Sequence, residues 1–423
     1  MKINKFFSQG QRLEMWQKVI LGLFLGIITG VTFGETASLL KPVGDAFLNA
    51  LHMIIVPVIL SAVVTAVTSV TDYSQMKRIT GKAFGVYFSF LFIAIIVAIF
   101  IGNLISPGLG IAIPSDASVI TNATSEVPSF SQMLVAMIPR NPVAAFASAN
   151  ILQIVVFGIL FGIAINLAGE QGKPLALLFN SISKVSMHLT QIVMYFAPYG
   201  VFALIAWTFG MFGLSALIPL VKFILTLLIS CIVLAVFVYG TISLVYLKKP
   251  ILHFFSKITP AITFAISTTS SGATLPVSIK CAEDGLKVPS SIAKFMLPLG
   301  CNFNLAGLAI YLTIAVIFTA NMTGVTLTPT SYLTLISTVI LTTMGAGAIP
   351  GSGIVVMSAV ISTMGLPLVA LPLIAGIDRI NDMIQTATNV ISDIFAAYLV
   401  SESEIKVNNI GVVLESNKVV VDN

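Results

Sequence analysis

The chain has 423 residues, of which 57% are hydrophobic and only 9% are charged. Soluble domains carry about 25% charged residues, so this composition excludes an ordinary water-soluble protein. Apolar runs of roughly 20 residues, the length that crosses a bilayer, recur along the whole sequence. The formal net charge of +5 comes from lysines and arginines between these runs, so it does not indicate nucleic-acid binding. We therefore predict an all-α integral membrane protein.

Residues that usually bind metals or form disulfides are scattered along the chain. The 3 cysteines and 3 histidines lack the spacing of a zinc site or a disulfide framework. The basic N-terminus leads straight into an apolar run without a small-residue cleavage site, so no removable signal is expected. We expect no resident cofactor.

In chain order, the apolar runs predict eight membrane spans and two interrupted segments. The spans are predicted at 17–34, 43–70, 82–106, 130–168, 175–207, 213–246, 289–320 and 366–400, and the interrupted segments at 250–280 and 328–364. Lysine and arginine are concentrated in alternate loops, which by the positive-inside rule are cytoplasmic. Both termini are therefore predicted to be cytoplasmic, with 107–129 as an external loop and 401–423 as a loose, polar tail.

The two interrupted segments place small residues, polar residues and proline in the middle of an apolar run. Their centres read FAISTTSSGATLPV (264–277) and TMGAGAIPGSGI (343–354), where an ordinary helix would break. Irregular backbone at membrane depth is tolerated only where protein or a water-filled cavity covers it. The pair favours two re-entrant hairpins around a midplane binding site, as in inverted-repeat transporters. Close helix packing by small residues is the alternative.

The last span carries the carboxylates of Asp378, Asp382 and Asp393, although the whole chain has only 16 acidic residues. A charged side chain in the bilayer interior costs about 2.5–3.5 kcal/mol on insertion scales, so such residues are functional candidates. At about 100° per residue, one helix face about 60° wide presents Asp382, Thr386, Asn389 and Asp393. Such oxygens are ligands for a hard cation, and a carboxylate also pairs with an ammonium group.

Three other interpretations of this polar stripe are open. Arg379 could neutralise Asp378 in a purely structural network. The stripe could line an uncoupled, channel-like conductance, which would not need an amino-group ligand such as Asp382. An intramembrane protease would need a base beside its serine, but no histidine follows His253, and Asp378 and Asp382 are only one turn apart.

Several long motifs resemble those of the dicarboxylate/amino acid:cation symporters, the family that includes the glutamate transporters. They occur in the family's order from about residue 15 to 400: MIIVPVILSAVV (53–64), IPRNPVAAFASANILQIVVFGILFGIAI (138–165), APYGVFALIA (197–206), TSSGATLPV (269–277), LPLGCNFNLAG (297–307), GAGAIPGSG (345–353) and GIDRINDMIQTATNVISD (376–393). The resemblance implies a homotrimer whose protomers each have eight spans and two re-entrant hairpins, built as inverted repeats. It also implies that a mobile domain carries the substrate across the membrane by an elevator motion.

On the family's pattern, the chain divides into a scaffold and a transport domain. The scaffold comprises 1–81 (spans 1–2) and 130–207 (spans 4–5, with the trimer contacts). The transport domain comprises 82–106 (span 3) and 213–400 (span 6 to span 8, with both hairpins). The resemblance therefore implies a transporter in a cell membrane that couples an amino acid to Na⁺, and not an enzyme.

The resemblance also implies roles for individual residues. Asp382 matches the carboxylate that holds the substrate's amino group. The other substrate-binding positions are Ser270, Ser271, Gly272, Gly347, Ala348, Ile349, Gln385, Thr386 and Asn389. One Na⁺ site matches Gly300, Asn304, Asn389 and Asp393, and a second, which closes with the second hairpin, matches Asn302, Thr343, Met344 and Ala346.

The substrate prediction depends on departures from the family's pattern. Members that bind acidic substrates usually carry an arginine at the position of Gln385, or in the first hairpin at the position of Thr269. Burying a second substrate carboxylate without a cation would cost several kcal/mol, so we expect a neutral, polar amino acid. The alternative is a symporter of an acidic amino acid or a dicarboxylate that uses Arg379, with H⁺ as a further possible coupling ion. Dicarboxylate members lack the aspartate that Asp382 matches.

A further departure concerns the coupling ions. The family's NMDGT motif in span 7 reads NLAGL here (304–308), so Ala306 replaces an aspartate that binds a third Na⁺. The hydroxyl residues expected in span 3 align with Phe90 and Leu91. We therefore expect fewer than three Na⁺ sites, or a proton in place of one ion.

Overall fold

The computed structural model describes residues 15–68, 77–110, 135, 137–346 and 351–421, and all regular structure in these residues is helical. The α-helices of the first half are α1 (Met15–Phe33), α2 (Lys41–Met53), α3 (Ile55–Thr68), α4 (Lys77–Ile105), α5 (Pro142–Ala147), α6 (Ile151–Leu167), α7 (Lys173–Tyr195) and α8 (Ala197–Phe212). Those of the second half are α9 (Leu217–Ile232), α10 (Tyr239–Ile242), α11 (Ile251–Thr268), α12 (Ser271–Lys280), α13 (Ser290–Phe303), α14 (Ala306–Thr323), α15 (Pro329–Ala346), α16 (Ser352–Thr363) and α17 (Leu371–Val421). Short 3₁₀ segments (Gly34–Leu40, Gly169–Gly172, Gly213–Ala216, Leu368–Ala370) and π segments (Val233–Val238, Ser243–Leu247, Cys281–Gly285) adjoin them.

Within the described residues, six segments are long and apolar enough to cross a membrane. They are Gln17–Thr68, Arg78–Ile105, Ala197–Ser215, Leu217–Leu247, Ser290–Thr323 and Leu368–Glu404. The first has 52 residues and contains more than one helix, whereas one span needs roughly 20 residues. The chain is therefore a multi-pass membrane protein.

Two predicted spans are divided into two helices, and a proline explains each break. In the predicted span 43–70, α2 ends at Met53, because Pro57 has no N–H for the Met53 carbonyl and its ring would clash there. The predicted span 175–207 is divided between α7 and α8, just before Pro198. The sequence predicts a span at each place and does not locate either break.

Two other predicted spans also differ from a single helix. Of the predicted span 130–168, residues 130–134 and 136 lie outside the described residues, and the remainder contains α5 and α6. The predicted span 289–320 is interrupted between α13 and α14, where side-chain groups of α17 replace helical hydrogen bonds.

Each predicted interrupted segment contains a pair of helices that pack against each other. The first helix pair, α11 and α12, breaks at Thr269, which adopts the left-handed conformation with φ 49°. In the second helix pair, α15 ends at Ala346 and α16 begins at Ser352, after a left-handed Gly351 with φ 76°. Residues 347–350 lie outside the described residues. Both breaks fall within the small, polar sequences that predicted them.

The helices pack into two groups. One group places α1 and α2 against α8, and α3 against α6 and α7. The other surrounds the almost wholly buried α14 with α4, α9 and α17, and places the first helix pair against α17. In the first group, α1 approaches α8 closely at Gly22, where a methyl group would lie 2.5 Å from the Pro198 carbonyl oxygen. Small residues allow such backbone contact between membrane helices.

The last helix is longer than the sequence predicted. α17 continues to Val421, so the prediction of a loose tail after residue 400 was wrong. Residues 401–421 contain no proline, the residue that ends a helix most firmly.

Ion pairs attach the far part of α17 to its neighbours. The Glu404 carboxylate pairs with Arg78 and, at 2.6 Å, with Lys82, both in α4. Glu402 pairs at 2.8 Å with Lys249, which precedes α11. The hydrogen bond to the Glu402 carboxylate raises the pKa of Lys249. The part of α17 around Glu402 and Glu404 is therefore fixed by charge as well as by packing.

Candidate functional site

Three interruptions in the helices meet the middle of α17. At the second helix pair, the Gly351 N–H donates to Asp382 Oδ2 at 3.2 Å. At the start of α14, the Gly307 N–H donates to Asn389 Oδ1 at 2.7 Å. The break of the first helix pair contacts α17 through a hydrogen bond from Arg379. Broken helix ends have unsatisfied N–H and C=O groups, so polar backbone and polar side chains are concentrated in one place.

Asp382 is the central carboxylate of this region. It is 4% exposed, and its second oxygen, Oδ1, accepts a hydrogen bond from Gln385 Nε2 at 2.9 Å. Among the residues that the structure describes, no basic side chain lies within 4.0 Å of it. A buried carboxylate without a counter-ion is unfavourable. Asp382 is therefore suited to accept a cationic ligand, such as an ammonium group.

Asp378, one turn earlier, has a different environment. Its Oδ1 accepts a hydrogen bond from the buried Tyr311 hydroxyl at 2.8 Å. Arg379 forms no ion pair with it within 4.0 Å, so the direct pairing considered from the sequence is not what the described residues contain.

The Arg379 guanidinium reaches the break of the first helix pair instead. Its Nη1 donates to Thr269 Oγ1 at 2.6 Å. Its Nε is buried and has no hydrogen-bond partner within the described part of the chain. The site therefore contains a cationic group with a free donor, on the opposite flank of Asp382 from Gln385.

Asn389 and Thr386 are the amide and the hydroxyl of the polar stripe, and both are buried. Asn389 Oδ1 accepts hydrogen bonds from Gly307 N at 2.7 Å and from Leu308 N at 3.3 Å. These are among the first N–H groups of α14, which have no acceptor within their own helix. Asn389 therefore caps α14 and makes the interruption of span 7 possible.

The predicted residues of the first helix pair lie at the start of α12. Ser270 caps that helix, with its Oγ accepting from Ala273 N at 3.2 Å. Ser271 is buried, and its carbonyl oxygen accepts from Cys301 Sγ at 3.6 Å, which joins this turn to α13. Gly272 is half-buried beside them. Three further predicted substrate positions lie outside the described residues: Gly347, Ala348 and Ile349.

Asp393 and Asn304 form a second polar cluster further along α17. Asn304 Nδ2 donates to Asp393 Oδ1 at 3.0 Å and to Ser392 Oγ at 2.9 Å. Asp393 Oδ2 and Asn304 Oδ1 are buried, and neither has a hydrogen-bond partner among the described residues. Gly300 packs against this cluster, since a methyl group there would lie 2.7 Å from Asp393 Oδ1. Two buried oxygens without partners are the donor set that a hard cation takes.

The residues of the second predicted cation site lie on two helices that pack together, α13 and α15. Asn302 Nδ2 and Thr343 Oγ1 each donate to a carbonyl in their own helix, at 3.1 and 2.8 Å. Met344 is half-buried and Ala346 is buried in the last turn of α15. Carbonyl groups at a helix C-terminus attract cations, so the backbone of this turn is the better source of ligands.

The positions expected to lack a third cation site are apolar and buried. Phe90, Leu91 and Ala306 are each at most 2% exposed. The Phe90 ring packs against those of Tyr239 and Phe395, with centroids 4.7 and 6.0 Å away. These side chains supply no oxygen ligand.

Sequence reasoning missed several polar partners of the site. The Tyr311 hydroxyl bonds Asp378, and the Tyr239 and Ser392 hydroxyls bond each other at 2.7 Å. A tyrosine in an apolar helix is typical of a packed core. Only its position opposite the stripe could have identified it as a polar partner of the site. Asn381 is fully buried with neither amide atom partnered among the described residues. An amide in a membrane helix was itself a signal.

This combination of fold and site is that of a membrane transporter. Broken helices meet at buried carboxylates in a multi-pass protein, and the ligand groups suit an ammonium ion and a hard cation. A sequence model of the sodium:dicarboxylate symporter family matches residues 15–403. The chain belongs to this family.

Named relatives agree with this assignment. The chain is 34% identical over 399 residues to the proton/sodium-glutamate symport protein of Geobacillus stearothermophilus, covering 92% of this chain and 94% of that protein. It is 35% identical over 410 residues to the proton/glutamate-aspartate symporter of Escherichia coli, covering 92% and 93%. It is 33% identical over 399 residues to the C4-dicarboxylate transport protein of Rhodospirillum rubrum, covering 92% and 88%. The resemblance is confirmed, and because the family and these relatives are transporters, the protease interpretation is set aside.

Proposed function

We propose that this protein is a secondary active symporter that imports an amino acid together with Na⁺. The observation that carries the proposal is the buried Asp382, which accepts hydrogen bonds from the neutral groups of Gly351 and Gln385 and forms no direct ion pair within the described residues. A substrate ammonium group would supply the missing positive charge through strong, charge-assisted hydrogen bonds. Gly351 belongs to the second helix pair, so the second predicted hairpin contacts the expected substrate ligand.

For the transport motion we propose the family's elevator arrangement. The protein would be a homotrimer in the bacterial inner membrane, with eight spans, two re-entrant hairpins and both termini in the cytoplasm. The scaffold would comprise 1–81 and 130–207, and the transport domain 82–106 and 213–400. The packing of α14 and α17 with α4 and α9, and of α1 mainly with α8, agrees with this division, while α17 also packs against α8 in the scaffold.

For the substrate side chain we propose a neutral, polar group. Gln385 already donates to Asp382, and its buried Oε1 has no hydrogen-bond partner among the described residues. A free acceptor beside a carboxylate favours a hydroxyl or amide donor and disfavours a second carboxylate. Serine, threonine, glutamine and asparagine supply such a donor, and alanine is neutral but supplies none.

An acidic amino acid is the second candidate, and the position of Arg379 favours it. Its guanidinium lies at the break of the first helix pair, with Nη1 on Thr269 and a buried Nε that lacks a partner within the described residues. A substrate carboxylate there could take two N–H groups in a bidentate pair. The relatives are named for glutamate, aspartate and C4-dicarboxylates. A dicarboxylate without an amino group would leave Asp382 uncompensated.

For the coupling ions we propose fewer than three Na⁺ sites. Asp393 and Asn304 would form one, with Asn389 and the backbone at Gly300, and the facing parts of α13 and α15 would form another. A third is not expected, because Ala306 stands where its carboxylate ligand would be. A proton in place of one Na⁺ is the alternative. A measured ratio of three Na⁺ ions per substrate would contradict this proposal.

Uptake of a panel of labelled amino acids into proteoliposomes, with and without a Na⁺ gradient, tests both substrate candidates. The first predicts saturable, Na⁺-dependent uptake of neutral, polar amino acids. Saturable aspartate uptake with neutral amino acids inert would refute it and support the second. Counterflow of labelled substrate without a gradient separates a carrier from a channel-like conductance, since only a carrier exchanges solute across its site.

A further inference from the structure

A groove of about 340 Å³ opens between the first parts of α1 and α8, away from the transport site. Its lining combines apolar side chains with one ammonium group and two phenol groups: Leu21, Leu25, Phe202, Lys18, Tyr195 and Tyr199. The floor is firm, because α1 and α8 are in backbone contact at Gly22 and Pro198.

In a single protomer, the groove is open to the bilayer. Leu21 and Leu25 lie in a membrane-spanning segment, yet they are 49% and 47% exposed. Apolar side chains exposed in a span face hydrocarbon, not water. Lipid acyl chains surround the groove in the membrane, so an acyl chain is its expected occupant.

Charge decides which lipid fits. Lys18 is exposed, and no carboxylate lies within 4.0 Å of its ammonium group in the part of the chain that the structure describes. Tyrosine is enriched at the membrane interface, where Tyr195 and Tyr199 would meet a lipid head group. A lysine near the membrane surface attracts anionic lipids at about 1 kcal/mol, which corresponds to about fivefold in affinity.

We propose that this groove binds a phospholipid with an anionic head group. The lipid phosphate contacts Lys18 and the two tyrosine hydroxyls, and one acyl chain lies along Leu21, Leu25 and Phe202. The site is separate from the substrate and cation sites and does not depend on the proposed function.

The groove adjoins the second helix pair through a single residue. Met194 directly precedes Tyr195, and a methyl group on Gly351 would lie 3.0 Å from Met194 Sδ. Lipid contact with Tyr195 would therefore act one residue away from the contact between Met194 and Gly351. We expect lipid binding to influence transport from this side.

Lipid retention by the purified, substrate-free protein tests the proposal. Native mass spectrometry would compare phosphatidylglycerol and phosphatidylcholine of matched acyl chains, each added to delipidated protein. The wild type should retain phosphatidylglycerol about fivefold more strongly. Lys18→Gln should remove this preference and keep residual acyl binding. Lys184→Gln, the same charge change at an exposed position outside the groove, should leave it intact.

Filling the groove gives an independent arm. Leu25→Trp should reduce retention of both lipids, whereas Ile28→Trp, also exposed on α1 but outside the groove lining, should not. Size-exclusion chromatography would establish that the variants are folded. Equal retention of the two lipids by the wild type, an unchanged preference in Lys18→Gln, or undiminished retention in Leu25→Trp would each overturn the proposal.

Discussion

The carboxylates in the middle and in the far part of α17 have opposite environments. Glu404, whose side chain is 8% exposed, is paired with Arg78 and Lys82. Asp382 and Asp393 are just as buried, but no basic side chain lies within 4.0 Å of either among the described residues. The fold pairs one carboxylate directly with its own cations and gives the others neutral hydrogen-bond donors, with the Arg379 guanidinium near Asp382 bonded to Thr269 instead.

This difference separates structural charge from functional charge. A charge in a membrane span costs about 2.5–3.5 kcal/mol on insertion scales, and an internal ion pair offsets that cost permanently. N–H groups at broken helix ends offset it only in part, so binding a cation to Asp382 or Asp393 is favoured. The broken helices thus stabilise a membrane-embedded carboxylate in part and leave it able to bind a ligand.

The largest expected effect is that of Asp382→Asn. Removing the charged partner of a desolvated ammonium group costs about 2–5 kcal/mol, so amino-acid uptake should fall about 30-fold or more. Folding should be intact, because the variant also removes a buried, uncompensated charge. Asp378→Asn is the matched control, since that carboxylate already bonds Tyr311. If transport in proteoliposomes persisted in Asp382→Asn, Asp382 would not be a functional carboxylate.

Asp393→Asn should act on the ion and not on the amino acid. The charge of its ligands tunes the affinity of a hard-cation site, so the half-saturating Na⁺ concentration should rise about tenfold or more. Ser392→Ala is the control, because it removes a partner of Asn304 and keeps the carboxylate. The measurement is uptake against Na⁺ concentration at saturating substrate. An unchanged Na⁺ dependence would exclude Asp393 from the cation site.

Much of this site followed from local sequence. The stripe on α17 was predictable because periodicity and carboxylate cost are both local properties. The breaks at Thr269 and Gly351 were predictable because glycine, proline and polar residues interrupt an apolar run there. The stripe and the two breaks therefore needed no knowledge of which helices meet.

Other features depended on contacts distant in the chain. Asn389 caps α14 across 82 residues, and no pattern within either helix reveals that bond. The breaks before Pro57 and Pro198 were missed because an apolar run looks continuous to a hydropathy criterion, which does not register one missing hydrogen bond. The reach of Arg379 to Thr269 was equally invisible, since side-chain direction depends on the packed neighbour.

Gln385→Arg would place a cationic side chain beside the Asp382 carboxylate. A guanidinium beside Asp382 would supply a carboxylate ligand, so preference should move toward acidic substrates by about tenfold, or about 1.4 kcal/mol. Competition between aspartate and a neutral amino acid for uptake measures this ratio. Arg379→Gln is the paired variant, and it should lower the affinity for acidic substrates only if Arg379 already binds them. No movement of the ratio in Gln385→Arg would count against the role of Gln385.

The smallest expected effect is that of Glu404→Gln, at the paired part of α17. Its cations are partly exposed, with the Arg78 side chain at 57%, and such pairs contribute at most about 1 kcal/mol. The melting temperature should fall by no more than a few degrees, and uptake should stay within about twofold. Lys82→Gln, which removes one partner of the same carboxylate, should have a similar effect. If Glu404→Gln instead abolished uptake as Asp382→Asn should, pairing with a cation would not distinguish structural from functional carboxylates in this helix.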